Sequence, residues 1–146
     1  MSVFDPVQAV LQLLSENMTV MKDERTPANI LFSREWVEGE ALPAGVDGHV
    51  TVGLAESVDQ KLELSGRFRR RVLTLRVNVW SFNRVIRQKM VEEVLRVVRE
   101  NRKNPGGSLD YLDVASYRDL DRVDVKPVIY RTELVLKSWV FEDVGV

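Results

Sequence analysis

A single histidine, His49, and the complete absence of cysteine leave little from which to build a reactive centre. A zinc site draws mainly on His and Cys ligands, so here it would need carboxylates in an unrecognised arrangement. A Ser-His-acid triad would also have to use His49, which begins an alternating segment beside Gly48. No serine sits in a nucleophile-elbow context. Gly106-Gly107 precedes a strand, so no following helix supplies N–H groups to a phosphate. Asp119, Asp121 and Asp124 resemble a piece of a calcium loop but lack its central glycine and closing glutamate. They read as a solvated acidic turn. No catalytic residue, metal or cofactor is expected, and the chain reads as a non-enzymatic protein.

The residues with the greatest binding capacity are arginines. Arg67, Arg69, Arg70 and Arg71 surround Phe68, with Trp80 and Phe82 nearby, and Arg84 and Arg87 open the segment that follows. Three readings suit the cluster. It can be a solvated strand end whose charges discourage edge-to-edge pairing. It can meet an acidic protein surface, because the guanidinium fork makes paired hydrogen bonds to carboxylates. It can contact nucleic acid, with the aromatics stacking on bases. A pI near 5.9 and the lack of a recognition-helix or RNA-binding motif weigh against the third.

Charge is sorted along the chain. From Arg67 to Lys103, twelve Lys or Arg stand against three acids, whereas residues 1–66 carry four against eleven and residues 110–146 five against eight. The overall charge is −1, so a nearly neutral chain has a basic middle and acidic flanks. Such sorting suits a subunit that docks onto copies of itself or onto an assembly. Head-to-tail contacts need two different complementary patches, and opposite potentials steer their meeting.

The elements that carry these residues follow from periodicity. Asp5 is placed to cap a short helix with Pro6 at its first position, and Val7, Val10, Leu11 and Leu14 form one apolar stripe. Ile30, Phe32 and Trp36 suggest a strand near 28–36, and the stretch from Gly39 to Gly48 is a loop by composition. Val50, Val52 and Leu54 alternate in a strand from His49 to Ala55, and Ser57 to Ser65 is polar and flexible in composition. A long strand from Arg67 to Phe82 places Leu73, Leu75, Val77 and Val79 on one face. Its first third lacks an apolar set, so residues 57–71 are expected to project as a hairpin or arm.

Asn83 caps a helix over 84–102 whose buried stripe includes Ile86, Met90 and Val94, with Arg84, Arg87, Arg96, Arg99 and Arg102 toward the polar side. Asn104-Pro105-Gly106-Gly107 stops it. Strands near 110–118 and 127–142 close the chain. In the last, Leu134, Leu136 and Val140 share one face while Val135, Trp139 and Phe141 share the other, which suggests cover on both faces over part of its length. The expected fold is a single α+β domain over 1–146, with a mainly antiparallel sheet and two principal helices on one face. No run approaches the ~20 apolar residues of a membrane span. The N-terminus does not read as a signal peptide, so synthesis and retention in the cytoplasm are expected.

The long Arg-rich strand Gly66-Arg67-Phe68-Arg69-Arg70-Arg71-Val72-Leu73-Thr74-Leu75-Arg76-Val77-Asn78-Val79-Trp80, followed at once by a helix, resembles tail terminator and tail-completion proteins of tailed phages and related archaeal viruses or proviruses. Ala115-Ser116-Tyr117-Arg118-Asp119-Leu120 and Tyr130-Arg131-Thr132-Glu133-Leu134-Val135-Leu136 support the likeness, which spans the chain from about residue 48. The resemblance implies a virion subunit without catalytic residues, forming a ring, commonly a hexamer, that halts tail-tube growth at the head-proximal end. Its expected partners are itself, the tail-tube protein and neck or connector proteins, with neither membrane nor nucleic acid expected, and the host cytoplasm as the place of assembly; the alternative reading of the residues is a nucleic-acid-binding module using Arg67–Arg71 and the basic helix face. The contact residues expected on this reading are Arg67, Phe68, Arg69, Arg70, Arg71, Arg84 and Arg87.

Overall fold

Asp5 and Asn83 set the starts of both helices in a computed structural model that describes residues 5–34, 45–62, 66–103, 109–124, 126 and 128–143. The Asp5 carboxylate accepts the N–H groups of Val7 and Gln8 at 3.1 and 3.2 Å, and helix α1 runs Pro6–Asn17. Asn83 does the same for Val85 and Ile86 at 2.8 and 3.2 Å, opening helix α2, Arg84–Glu100. Each cap satisfies N–H groups that a helix leaves without partners. Asn83→Ala is expected to cost ~1 kcal/mol in denaturant titration, since the orphan donors then lose their acceptor.

Among the described residues, five strands form one sheet: β1 (Ile30–Arg34), β2 (Gly48–Lys61), β3 (Phe68–Ser81), β4 (Tyr111–Asp119) and β5 (Tyr130–Asp143). Their order is β1-β2-β3-β5-β4, with β1 parallel to β2 and every other neighbour antiparallel. Val50, Val52, Leu73, Leu75, Val77, Val79, Leu134 and Leu136 line one face and are buried in a single core with the apolar stripes of both helices. α1 lies against β1 and β2, and α2 against β3, β4 and β5. The expected α+β architecture with both helices on one face is therefore present. Gly48 permits the close approach of β2 to α2, because a Cβ there would lie 2.5 Å from the Met90 sulfur. No helix among the described residues is long and apolar enough to cross a membrane.

Two differences from the sequence expectation have physical causes. β2 continues past Ala55 to Lys61, through a stretch whose polar composition suggested flexibility. Its backbone pairs with β3 from Ser57↔Leu73 to Lys61↔Arg69, and its side chains from Leu54 to Lys61 are all exposed. With no side chain buried there, no alternation marks the strand. Arg87, expected on the polar side of α2, is buried at 3% exposure, because its guanidinium reaches acidic groups on the β4–β5 connection. The Gly39–Gly48 loop lies largely, and the Asn104–Gly107 stop wholly, outside the described residues.

An ion pair ties the exit of α1 to α2. Glu93 accepts the Thr19 N–H at 2.7 Å, while Arg96 donates to Glu93 at 2.8 Å and to the Asn17 carbonyl at 2.8 Å. The Arg96 hydrogen bond, opposed in part by burial, holds the Glu93 carboxyl below its usual 4.5. A lowered folded pKa gives stability that is complete above 4.5 and lost as pH falls through the lower folded value. Glu93→Gln should flatten the acid limb of stability against pH below that value, as read by thermal melts at stepped pH.

Candidate interaction surface

The face of the sheet turned away from the helices is built in transverse rows, because directly paired residues on neighbouring strands point the same way. Val58↔Val72, Val72↔Trp139 and Trp139↔Tyr111 make one row across four strands. On its hairpin side run Gln60, Arg70 and Phe141, and on the other Glu56, Thr74, Lys137 and Asp113. Val58 is 40% exposed, Phe141 53%, and Phe68, one row further out, 43%. The outer half of this face is thus an apolar and aromatic strip between charged rows.

The inner half of the same face is closed by its own polar network. Thr51, His49 and Asn78 are buried, Trp80 donates its indole N–H to Thr51 at 3.2 Å, and the Ser33 hydroxyl lies 2.6 Å from His49 Nε2. Arg131 places its guanidinium 4.5 Å from the Trp80 ring centre and donates to Asn78 at 2.9 Å. His49 is therefore a packed strand residue. No group of three or more potential metal ligands occurs among the described residues.

The expected contact residues do not converge on one patch. Strand alternation sends Phe68 and Arg70 to the helix-free face and Arg69 and Arg71 to the other. Arg67 is exposed, with its guanidinium 5.1 Å from the Phe68 ring centre. Arg69 donates to the Gly66 carbonyl at 3.1 Å, and Arg71 lies 3.7 Å from Asp59. Arg70 donates to Gln60 at 2.6 Å and stands 5.2 Å from the Trp139 ring centre. Arg84 is exposed and Arg87 buried at the opposite end of β3, ~40 Å away by strand rise. Arg87 donates to Asp121 at 2.6 Å and lies 3.5 Å from Asp119.

Trp139 and Tyr111 are the residues that sequence reasoning passed over. Their rings stack at 4.0 Å and 8°, with Arg70 flanking Trp139 from β3. The alternation of Val135, Trp139 and Phe141 marked this second face but suggested cover. Phe141 is instead exposed, while Trp139 and Val135 are shielded only in part. Asp113 accepts a hydrogen bond from the Tyr111 hydroxyl at 3.0 Å and so pushes that phenol up, keeping it a donor. Because Trp139, Trp80 and Phe68 already carry arginines against their rings, base stacking would have to displace contacts made within the chain.

Folding also spends part of the linear charge sorting internally. The basic strand β3 lies between β2 and β5, so Arg71 meets Asp59, while Arg87 on α2 meets Asp121 on the connection before β5. Arg96 is shared by Glu93 and Glu100. Arg71 and Arg87 are thus neutralised by acids on adjacent elements, and Arg96 by acids of its own helix.

This arrangement of five strands and two helices has a counterpart among solved virion proteins. A chain from the virion of a native gene transfer agent particle superposes with a TM-score of 0.58. The match covers 93% of this chain and 94% of that one at 17% identity, a likeness of fold. Neither a protein-family profile nor a characterised protein sequence matches the chain.

Proposed function

We propose that this chain is a structural subunit of a phage-like virion, and specifically a tail terminator: a ring, of six copies on the closest reading of the resemblance, that caps the tail tube at its head-proximal end and joins it to the neck. The observation that carries this reading is the end-to-end correspondence of its fold with a chain of a gene transfer agent virion. The open outer half of the sheet supports it, since contiguous exposed apolar groups rimmed by charge mark protein-binding surfaces. Val58, Val72, Trp139 and Phe141 form the apolar strip on this reading, with Arg70 and Lys137 beside them.

The test is elongation of the cognate tail-tube protein, followed by negative-stain microscopy. Adding this chain should stop tube growth and leave density on one end only. The variant Trp139→Ala/Phe141→Ala, altered only on the partly open face, should fold and fail to cap. Tubes that reach the same length with bare ends in the presence of wild-type chain would contradict the assignment.

A further inference from the structure

Arginines without an ion pair to a described residue also occur well away from Arg67–Arg71. Arg99, in the last turn of α2, and Arg102, just beyond it, are exposed, and neither forms an ion pair with a described residue. Both face β4 across a cleft of about 440 Å³ whose far wall is Asp113 to Tyr117. The cleft has fixed sides, because the Leu112 N–H donates to the Arg102 carbonyl at 2.8 Å and fastens the chain after α2 to the sheet. A bulge between Val114 and Ser116 re-aims the side chains that follow. Tyr117, paired with Leu134 and hence on the helix side, is 53% exposed there.

We propose that this cleft at the β4 edge is a docking site for a carboxylate-rich peptide segment of a partner protein. Two guanidinium groups offer planar paired donors that match carboxylates, and the Tyr117 hydroxyl, on the helix side of β4, adds a single donor. Arginine and tyrosine are also the residue types that dominate binding energy at protein interfaces. Asp113 lines the cleft by its place on β4, while its carboxylate lies on the helix-free face, accepting from Tyr111 at 3.0 Å and from the Val114 N–H at 2.8 Å. Two guanidinium groups match a short segment that brings a few carboxylates, and the net charge of −1 disfavours the continuous charge of a nucleic-acid backbone.

The experiment is fluorescence anisotropy of labelled hexaglutamate against the full chain at low salt. Saturable binding should weaken as salt rises, fall at least tenfold in Arg99→Glu/Arg102→Glu, and stay unchanged in Arg70→Glu, whose side chain points to the helix-free face. Arg99→Gln/Arg102→Gln, which adds no repulsion, should show a smaller loss in the same direction, and circular dichroism would confirm that each variant is folded. Equimolar inorganic phosphate should not displace the peptide. Absence of binding by the wild type, equal binding by the double variants, or tighter capture of a single-stranded DNA oligonucleotide lost in the same variants would each overturn the proposal. The assay uses the free subunit, so its outcome is separate from that of ring formation and tube capping.

Discussion

Truncating Leu75 to alanine is expected to remove ~2–5 kcal/mol of stability, the range for a buried leucine whose cavity cannot close. Leu75 is fully buried at the middle of β3, paired with Leu54 on one side and Leu136 on the other. Both flanking strands and the overlying core resist collapse into the space. Domains of this kind are stable by only ~5–15 kcal/mol, so one substitution takes a large share of the total. A denaturant titration should show a lower midpoint with an unchanged slope. Phe141→Ala, on the exposed strip, should shift the same midpoint by less than ~0.5 kcal/mol. Equal effects of the two would mean that the sheet's buried face has been assigned wrongly.

The second large effect is expected at the acid that holds Arg87. Asp121→Ala would leave a guanidinium at 3% exposure with the exposed Asp119 as its remaining described acid, at 3.5 Å. It would also free the Arg131 N–H that Asp121 accepts at 3.1 Å. Removing one partner of a buried pair costs ~3–5 kcal/mol, and Asp119 and solvent should reduce this to ~2–3 kcal/mol. Arg87→Met, which removes the charge and keeps the volume, should cost less than half as much. The ordering of these two variants in thermal or chemical unfolding is the discriminating result. If Arg87→Met proved the more damaging, the guanidinium would be stabilising the fold beyond its pairing with Asp121.

Most of the fold was legible because its elements bury one face each. The 3.6-residue stripe of Val7, Val10, Leu11 and Leu14 and the alternation of Leu73, Leu75, Val77 and Val79 both report a core that the structure contains. The same rule explains the main omission. From Leu54 to Lys61 neither face of β2 is buried, and pairing with β3 alone makes it a strand. Backbone hydrogen bonding to a distant segment leaves no periodic trace in composition. Arg87 was misplaced for a related reason. A helical arginine looks solvent-facing until the chain brings Asp121, 34 residues later, within 2.6 Å.

The contact residues expected from the sequence are only partly gathered by the fold. Phe68 and Arg70 do lie on the outer sheet, but Arg69 and Arg71 alternate to the opposite face, and Arg84 and Arg87 stand at the far end of β3. Trp139 and Tyr111 lie 28 residues apart in sequence, and only the β4–β5 register stacks them. Charge sorting along the chain likewise overstated the charge available to a partner. A basic strand inserted between two less basic ones finds acids beside it, as Arg71 finds Asp59. What stays at the surface is the partly open apolar strip and arginines such as Arg99 and Arg102.

Mass photometry of the purified chain at low and high salt, alone and with tail-tube protein, addresses assembly most directly. A discrete closed oligomer, absent in Trp139→Ala/Phe141→Ala and retaining the core stability of the wild type, is the predicted result. A strict monomer at every concentration and salt, with tube protein present, would contradict the account.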